Sequence, residues 1–325
     1  MTTRRATLSS VAQAAGVSRQ TVSNVLNAPD RVQPETAARV RAAIEAQHYV
    51  PSVAARQLRT GRSGSFGYRL SPEGKGISGS LLDRFLHALT EHAQRQGYRV
   101  SLFTARDDTA ETLAYADLLR TTDLDGFVLS GTAPGDPRTR WLADQDVPFV
   151  TFGRPWEDEG VPHAWVDVDG AAGTRAATEH LRAAGHERVA FLGWPTGSGV
   201  GDDRRRGWRE AAGPHAGPDV ECVDDVPAAR ATFAAVLSDV TAVVCASDTL
   251  ALGAHGAALR AGAPLDVVGF DDTPVAAALG LSSVAQPLPE AAAAVVRILH
   301  DQIDGGRHEH EQVLLPPRLV VRRRS

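Results

Sequence analysis

Residues that could bind a small molecule follow five strand-like runs of this 325-residue sequence. They occur in pairs, which are Arg69 and Ser71, Gly153 and Arg154, Thr196 and Ser198, Ser247 and Asp248, and Asp271 and Asp272. Most of their side chains donate or accept hydrogen bonds, which is the chemistry that recognises hydroxyl groups. Ligands of open parallel α/β sheets bind outside the carboxyl ends of the strands, so these pairs predict a binding cleft.

A second set of polar residues lies near the N-terminus, at Arg19, Gln20, Ser23 and Asn24. Arg can bind guanine through two hydrogen bonds, and Gln or Asn can do the same for adenine. The N-terminal residues of a recognition helix read base edges in the major groove, so this set predicts contact with DNA. For each residue taken alone, a solvated helix face is the alternative.

Three predicted helices in the first fifty residues would position that polar face. Thr7 caps the first helix, and Gly16 ends it. Ser18 caps the second helix after a three-residue turn, which is the arrangement of a helix-turn-helix. Pro34 suits the first position of the third helix. Apolar residues at spacings of three and four form the predicted core, namely Leu8, Val11, Ala12, Ala15, Val22, Val25, Leu26, Ala37, Val40 and Ile44.

Charge is distributed unevenly along the chain. Residues 1–62 contain nine arginines and three acidic residues, a net charge of +6. The whole chain carries −5, so the remainder carries −11. A basic head on an acidic body indicates that the head binds a polyanion while the body repels it.

The rest of the chain alternates strand-like and helical runs, which predicts an α/β fold with parallel sheets flanked by helices. Two successive series, the second beginning at residue 164, predict two similar lobes with a ligand cleft at the carboxyl ends of their strands. The predicted strands are 66–70, 98–103, 126–129, 148–152, 164–168, 188–192, 242–245 and 266–270. The predicted helices include 112–119, 171–184, 204–212, 228–237 and 250–259.

The sequence resembles the LacI/GalR family of transcriptional regulators over essentially its whole length. The headpiece motif is TLSSVAQAAGVSRQTVSNVLN, followed by VQPETAARVRAAIEAQHYVPSVAARQLRTG. The body motifs, in order, are VDVDGAAGTRAATEHLRAAGHERVAFLG, DRRRGW, ASDTLALGAHGAAL and VVGFDDTPVA. The resemblance implies a helix-turn-helix domain at 1–50, a hinge helix and linker at 51–63, and an effector-binding and dimerisation domain at 64–325, whose first lobe is 64–163 and 286–314 and whose second lobe is 164–285 and 315–325.

For DNA, the resemblance implies base reading by Arg19, Gln20 and Asn24, with Thr21 and Ser23 near phosphates. It also implies that hinge helices from the two subunits of a dimer pair over the centre of the operator. An apolar residue there wedges into the minor groove, trading base unstacking for a kinked duplex that wraps more protein. The predicted DNA-binding residues are Thr7, Ser18, Arg19, Gln20, Thr21, Ser23, Asn24, Ala55 and Leu58.

For the effector, the resemblance implies contacts from Arg204 and Asp271. A guanidinium fork and a carboxylate suit a polyol, since each can bond two neighbouring hydroxyls. The predicted effector-binding residues are Arg69, Arg154, Ser198, Arg204, Ser247, Asp248 and Asp271. An aromatic platform for a sugar could come from any of Trp141, Trp156, Trp165 and Trp194, between which the sequence does not choose.

We therefore expect a homodimeric, sequence-specific DNA-binding regulator of transcription, a repressor, that responds to a small-molecule effector, expected to be a sugar. We expect no enzyme activity and no cofactor, because nucleophile-elbow, Walker A and HExxH motifs are missing from the sequence. His308 and His310 could share a strand face and bind metal, but a solvated turn is the favoured interpretation, so no metal is expected. A sugar-binding protein of the periplasmic type, with no gene-regulatory role, is the main alternative.

The expected location is the cytoplasm. No secretory signal is recognisable at the N-terminus, and no apolar run reaches the roughly 18–20 residues of a membrane helix. Cys222 and Cys245 are the two cysteines, and they form no CxxC pair.

Overall fold

The computed structural model describes residues 6–49, 62–70, 79–156, 162–305 and 310–322. The chain forms two compact units, Met1–Ser63 and Gly64–Ser325. No helix in the described part of the chain is long and apolar enough to cross a lipid bilayer.

The first unit is built on three short helices, α1 (Leu8–Ala15), α2 (Arg19–Asn27) and α3 (Pro34–Ala46). The Thr7 side chain accepts a hydrogen bond from the backbone N–H of Ser10, and the Ser10 side chain bonds back to Thr7, which closes a capping box. Gly16 ends α1 with a left-handed backbone, at φ 64°. The small core is centred on Val11, Val22 and Val40, none of which is exposed.

The second unit contains two sheets and nine helices in the described residues. The strands are β1 (Ser65–Leu70), β2 (Arg99–Thr104), β3 (Gly126–Ser130), β4 (Phe149–Phe152), β5 (Trp165–Val168), β6 (Val189–Gly193), β7 (Ala216–Glu221), β8 (Ala242–Cys245), β9 (Asp266–Phe270), β10 (Ser282–Ala285), β11 (Gln312–Leu315) and β12 (Arg318–Val320). The helices are α4 (Gly79–Arg95), α5 (Asp108–Thr122), α6 (Pro137–Asp144), α7 (Gly170–Ala183), α8 (Gly199–Ala212), α9 (Val226–Ala234), α10 (Asp248–Ala261), α11 (Pro274–Ala278) and α12 (Leu288–Ile303).

Each sheet has six strands in the described residues. The first has the order β11-β5-β4-β3-β1-β2, and all its pairings are parallel. The second has the order β12-β10-β9-β8-β6-β7, and it is parallel except that β12 runs antiparallel to β10. The α/β fold with parallel sheets is confirmed, and each sheet with its helices forms one lobe.

The boundary between the lobes differs from the predicted one at β5. Residues 164–168 were expected to open the second lobe, but Thr151 and Phe152 of β4 pair with Trp165 and Val166. The chain enters the second lobe only at α7, which starts at Gly170. The order of runs along a sequence does not reveal sheet pairing, and the parallel pairs made by β5 with β4 and β11 are what hold it in the first sheet.

The chain crosses between the lobes three times, and each crossing is short. The crossings connect β5 to α7, β10 to α12, and β11 to β12. Helix α12 packs on the first sheet beside α4, where its buried face, including Val295 and Leu299, joins the core of that lobe.

Candidate DNA-binding face and effector pocket

Helix α2 presents the polar face that the sequence predicts. Arg19 and Gln20 are exposed, whereas Val22 and Val25 on the opposite face are buried in the core. The Ser18 side chain caps the helix by accepting a hydrogen bond from the Thr21 N–H at 3.1 Å. The first turn is therefore fixed, with a long cation and an amide projecting from it.

Other predicted DNA-binding residues in the first unit occupy supporting positions. The Gln20 amide nitrogen donates to Asn24 Oδ1 at 3.0 Å, which links two predicted base-reading side chains. Thr21, Ser23 and Asn24 are half-buried, and Thr7 caps α1. Ala55 and Leu58, with the predicted hinge helix, lie outside the described residues. Helix N-termini and polar side chains of this kind can bind phosphate oxygens.

In the second unit a cavity of about 320 Å³ lies between the two lobes. The carboxyl ends of β3, β4 and β5 in the first sheet, and the segments after β6, β9 and β10 in the second, all reach it, as the carboxyl-end rule predicts. Its lining residues are Leu81, Leu82, Gly131, Thr132, Phe152, Gly153, Trp156, Asp167, Val168, Gly170, Trp194, Ser198, Val200, Asp203, Arg204, Asp271 and Gln286.

Arg204 lines the cavity as a buried cation, with 6% of its side chain exposed. Its guanidinium lies 3.7 Å from the ring centroid of Phe270, and Nη1 donates to the carbonyl oxygen of Ala246. Burial lowers the pKa of this guanidinium, and Asp271, whose Oδ1 is 3.8 Å from Nη2, opposes that shift. Its buried Nε has no hydrogen-bond partner among the described residues.

Asp271 faces Arg204 from the segment after β9 and is 4% exposed. Burial raises the pKa of its carboxyl to about 7, against the lowering effect of Arg204. Gln286 donates to Asp271 Oδ1 at 2.7 Å. The carboxyl group is thus held in place, and it retains lone pairs for a ligand hydroxyl.

Arg154 joins the two lobes beside the cavity through two lining carboxylates. Its Nε donates to Asp167 Oδ2 at 2.6 Å within the first lobe, and its Nη2 donates to Asp203 Oδ2 at 3.2 Å in α8 of the second. Burial raises the pKa of Asp167, and the bond from Arg154 opposes this effect. Asp203 also pairs with Arg206, so two guanidinium groups face the two carboxylates and balance their charge.

Two of the four candidate tryptophans line the cavity. Trp156 lies in the first lobe and Trp194 in the second. The Trp156 Nε1 atom is buried without a hydrogen-bond partner among the described residues, while Trp194 Nε1 donates to Asp224 at 3.1 Å. Trp141 instead packs against Tyr115, and Trp165 is absent from the lining.

Among the seven predicted effector-binding residues, Ser198, Arg204 and Asp271 line the cavity. The Ser198 side chain caps α8. The other four, which are Arg69, Arg154, Ser247 and Asp248, are not in the lining. Their direct contact with an effector stays a prediction.

All four have partners within the protein that account for their side chains. Arg69 pairs with Glu111 at 2.7 Å inside the first lobe. Ser247 caps α10 and donates to Asp224, and Asp248 accepts from Ser283 Oγ and from the N–H of Thr273. The fourth, Arg154, has the two carboxylate partners described above.

Sequence reasoning did not single out several lining residues. Leu81 and Leu82 lie on α4, and Gln286 follows a strand, β10, that was not predicted. Asp167 lies in a predicted strand and was not among the predicted effector-binding residues. The one usable signal was its position near the carboxyl end of a buried strand. Phe152 and Asp271 of the lining also lie at or just after the carboxyl ends of strands.

A helix-turn-helix unit, joined in one chain to a two-lobed body with a cavity between its lobes, defines a ligand-responsive DNA-binding regulator. Residues 7–52 match the family model for bacterial regulatory proteins of the lacI family, and residues 178–325 match that for a periplasmic binding protein-like domain. The chain belongs to the lacI family of bacterial regulatory proteins.

Relatives of known structure or function agree along the whole chain. The transcriptional regulator CelR of Thermobifida fusca is 33% identical, with 98% of each chain covered. The lac repressor dimer bound to operator and the anti-inducer ONPF is 26% identical, has a TM-score of 0.79 and covers 98% of each chain. A complex of the transcriptional regulator CelR with cellobiose is 28% identical, has a TM-score of 0.69, and covers 98% of this chain and 99% of the other.

Proposed function

We propose that this protein is a homodimeric transcriptional repressor that binds a pseudo-palindromic operator and is controlled by a sugar held between its lobes. Two half-sites need two recognition helices, so operator geometry favours a dimer. The related lac repressor binds its operator as a dimer. Because its target is DNA, we place its action in the cytoplasm, and we assign it no catalytic role.

The observation that carries the sugar assignment is a pair of unpaired buried donors in the cavity wall. Arg204 Nε and Trp156 Nε1 have no partner among the described residues, although a buried donor without a partner costs roughly 1–3 kcal/mol. A ligand with several oxygen acceptors would satisfy both. Asp271 supplies the complementary acceptor, and the faces of Trp156 and Trp194 suit the apolar face of a pyranose ring. A related regulator binds cellobiose.

The mechanism is linkage between two binding equilibria. A sugar that contacts both lobes favours one angle between them, and that angle sets how readily the two headpieces engage an operator. If the sugar prefers the state that binds DNA poorly, operator affinity falls by the difference in its binding energy between the states, typically about 1–3 kcal/mol.

Two measurements on the purified full-length protein test this function. Selection from randomised palindromic duplexes should yield a preferred operator, and fluorescence anisotropy should show its affinity changing about 5- to 150-fold when the effector is added. Cellobiose is the first probe, followed by a thermal-shift screen of sugars and nucleobases, because a ligand that binds only the native state raises its stability.

The outcomes separate this function from its rivals. Sugar binding without any operator preference would support a binding protein with no regulatory role. Turnover of the sugar would support a hydrolase. Operator binding that no sugar alters, combined with a thermal shift from a nucleobase, would retain the regulator and reject the sugar.

A further inference from the structure

Arg84 connects the two lobes at the base of the effector pocket. It lies on α4 of the first lobe, two residues after Leu82 of the pocket lining. Its Nη1 donates to the backbone carbonyl oxygens of Asp271 at 3.0 Å and of Asp272 at 3.1 Å, both in the second lobe. A charged donor shared by two carbonyls is a strong and directional contact.

The turn that receives Arg84 has an unusual backbone. Asp271 has φ of 106° and Asp272 has φ of 49°, although neither is glycine. Non-glycine residues in this region are strained, and they persist where their surroundings hold them. Here the Asp272 N–H donates to Ser283 Oγ at 3.0 Å, and Arg322 pairs with the Asp272 carboxylate at 2.6 Å.

The turn therefore has two faces with different roles. The Asp271 carboxyl group faces the cavity beside Arg204 and Gln286, whereas the carbonyl of the same residue faces Arg84. The backbone of the turn is held by the second lobe, since the Asp271 N–H donates to the carbonyl of Val284 at 2.8 Å. Arg84 therefore contacts a turn whose position in the second lobe is fixed, and the same turn presents a carboxyl group to the cavity.

We propose that Arg84 is a positioning residue, which fixes the Asp271–Asp272 turn against the first lobe and so sets the angle between the lobes. Its effect on the lobe angle does not depend on the proposed function. Its effect on effector response does rest on that function, because it links the ligand-facing carboxyl group to α4.

The lobe angle can be measured without DNA or effector. Spin labels at two exposed positions, introduced by Arg140→Cys in α6 and Arg209→Cys in α8, report the distance between the lobes by pulsed electron resonance. The native Cys222 and Cys245 are buried and should not react. Diluting labelled protein with an excess of unlabelled protein restricts the signal to pairs within one protomer.

In the Arg84→Met variant we expect a longer and broader distance distribution than in the wild type. Arg84→Lys, which keeps a charged donor, should restore most of the wild-type distribution. Arg95→Met is the matched control and should change nothing, since Arg95 is on the same helix and its ion pair is with exposed Glu91 of that helix. Arg154 still joins the lobes in every variant, so partial rather than complete opening is the expected result.

An unchanged distribution in Arg84→Met would overturn the proposal, and so would equal broadening in Arg95→Met. If Arg84→Met does not fold, Arg84→Gln decides, because its shorter side chain keeps polarity without spanning both carbonyls. A separate arm measures the change in operator affinity on adding cellobiose, which Arg84→Met should reduce at least twofold. If cellobiose does not change the operator affinity of the wild type, while the distances change as expected in Arg84→Met, the proposed effector is rejected and the role of Arg84 is retained.

Discussion

Individual buried charges, above all Arg204 and Asp271, line the cavity between the lobes. Arg204 and Asp271 line the cavity, and both were expected from the family motifs DRRRGW and VVGFDDTPVA. Arg69 lies at the end of β1, but its partner Glu111 belongs to a helix whose packing against that strand cannot be read from the sequence. The type of a residue and its distance from a strand end are thus visible in the sequence, whereas its nearest opposite charge is a product of the fold.

The raised pKa of Asp271 predicts a dependence of stability on pH. Its folded pKa is about 7, against an ordinary value of 3.8, so the folded state holds this proton more tightly than the unfolded state does. The free energy of unfolding should therefore fall as pH rises from about 4 to 7, by an amount of the order of a few kcal/mol. Asp271→Asn keeps an acceptor for Gln286 but has no proton to lose. Its melting temperature should exceed that of the wild type at pH 8 and approach it at pH 5.

Asp123→Asn is the control for this experiment. Asp123 also has a left-handed backbone, at φ 48°, but it is exposed. The melting temperature of Asp123→Asn should follow that of the wild type at every pH. If the melting temperature of Asp271→Asn also follows the wild type from pH 5 to pH 8, burial does not perturb the Asp271 carboxyl group.

On the DNA-binding face, Arg19→Ala should lower discrimination at one operator position. A bidentate contact between arginine and guanine is worth about 1–3 kcal/mol against the wrong base. Anisotropy titrations with single-base operator variants measure this loss. Arg39→Ala on α3 removes the same charge from another exposed position and should leave base preference intact. An equal loss on all duplexes in Arg19→Ala would make Arg19 a phosphate contact.

At the scale of elements, locally encoded features were predicted best. The headpiece helices match the expectation because their caps and apolar spacing act within one or two turns. Helix α8 was expected only from Arg204, but it starts at Gly199, because Ser198 caps it and Gly199 lies against the Trp156 ring. Strand β7 was not predicted, since AGPDVE contains glycine and proline and lies at the edge of its sheet.

The packing of α7 on α8 makes Gly207 hard to replace. A Cβ atom there would lie 2.0 Å from the carbonyl oxygen of Ala171 and 2.5 Å from Thr174 Oγ1. Gly207→Ala should lower stability by about 1–3 kcal/mol or more, because the helices must move apart. Thermal unfolding of the full chain measures the loss.

A helical glycine with space around it provides the comparison. A Cβ atom at Gly256 in α10 would come no nearer than 3.4 Å to another atom, the Arg230 Cδ. Gly256→Ala should therefore stabilise the protein by up to about 1 kcal/mol through helix propensity. If both variants melted at the same temperature, the close packing of α7 and α8 would be disproved.

For the whole molecule, the basic head and acidic body predict a strong effect of salt on operator binding. Each phosphate neutralised by the headpieces releases counterions, so log K should fall linearly with log salt concentration. Six to ten phosphate contacts would lower affinity about 10³- to 10⁵-fold between 50 and 200 mM salt. Sugar binding, measured by calorimetry over the same range, serves as the internal reference and should change little, since the pocket charges are buried and paired. A flat salt response for the operator would contradict phosphate contact by the basic head.

The three short crossings between the lobes limit how the body can deform. Three short connecting segments resist sliding or separation of the two lobes. Each segment can still twist by small changes in a few backbone angles. We therefore expect the lobes to move mainly by rotating against each other at the crossings. When the lobes approach each other at the cavity, they should separate by a similar angle on the opposite side of the crossings.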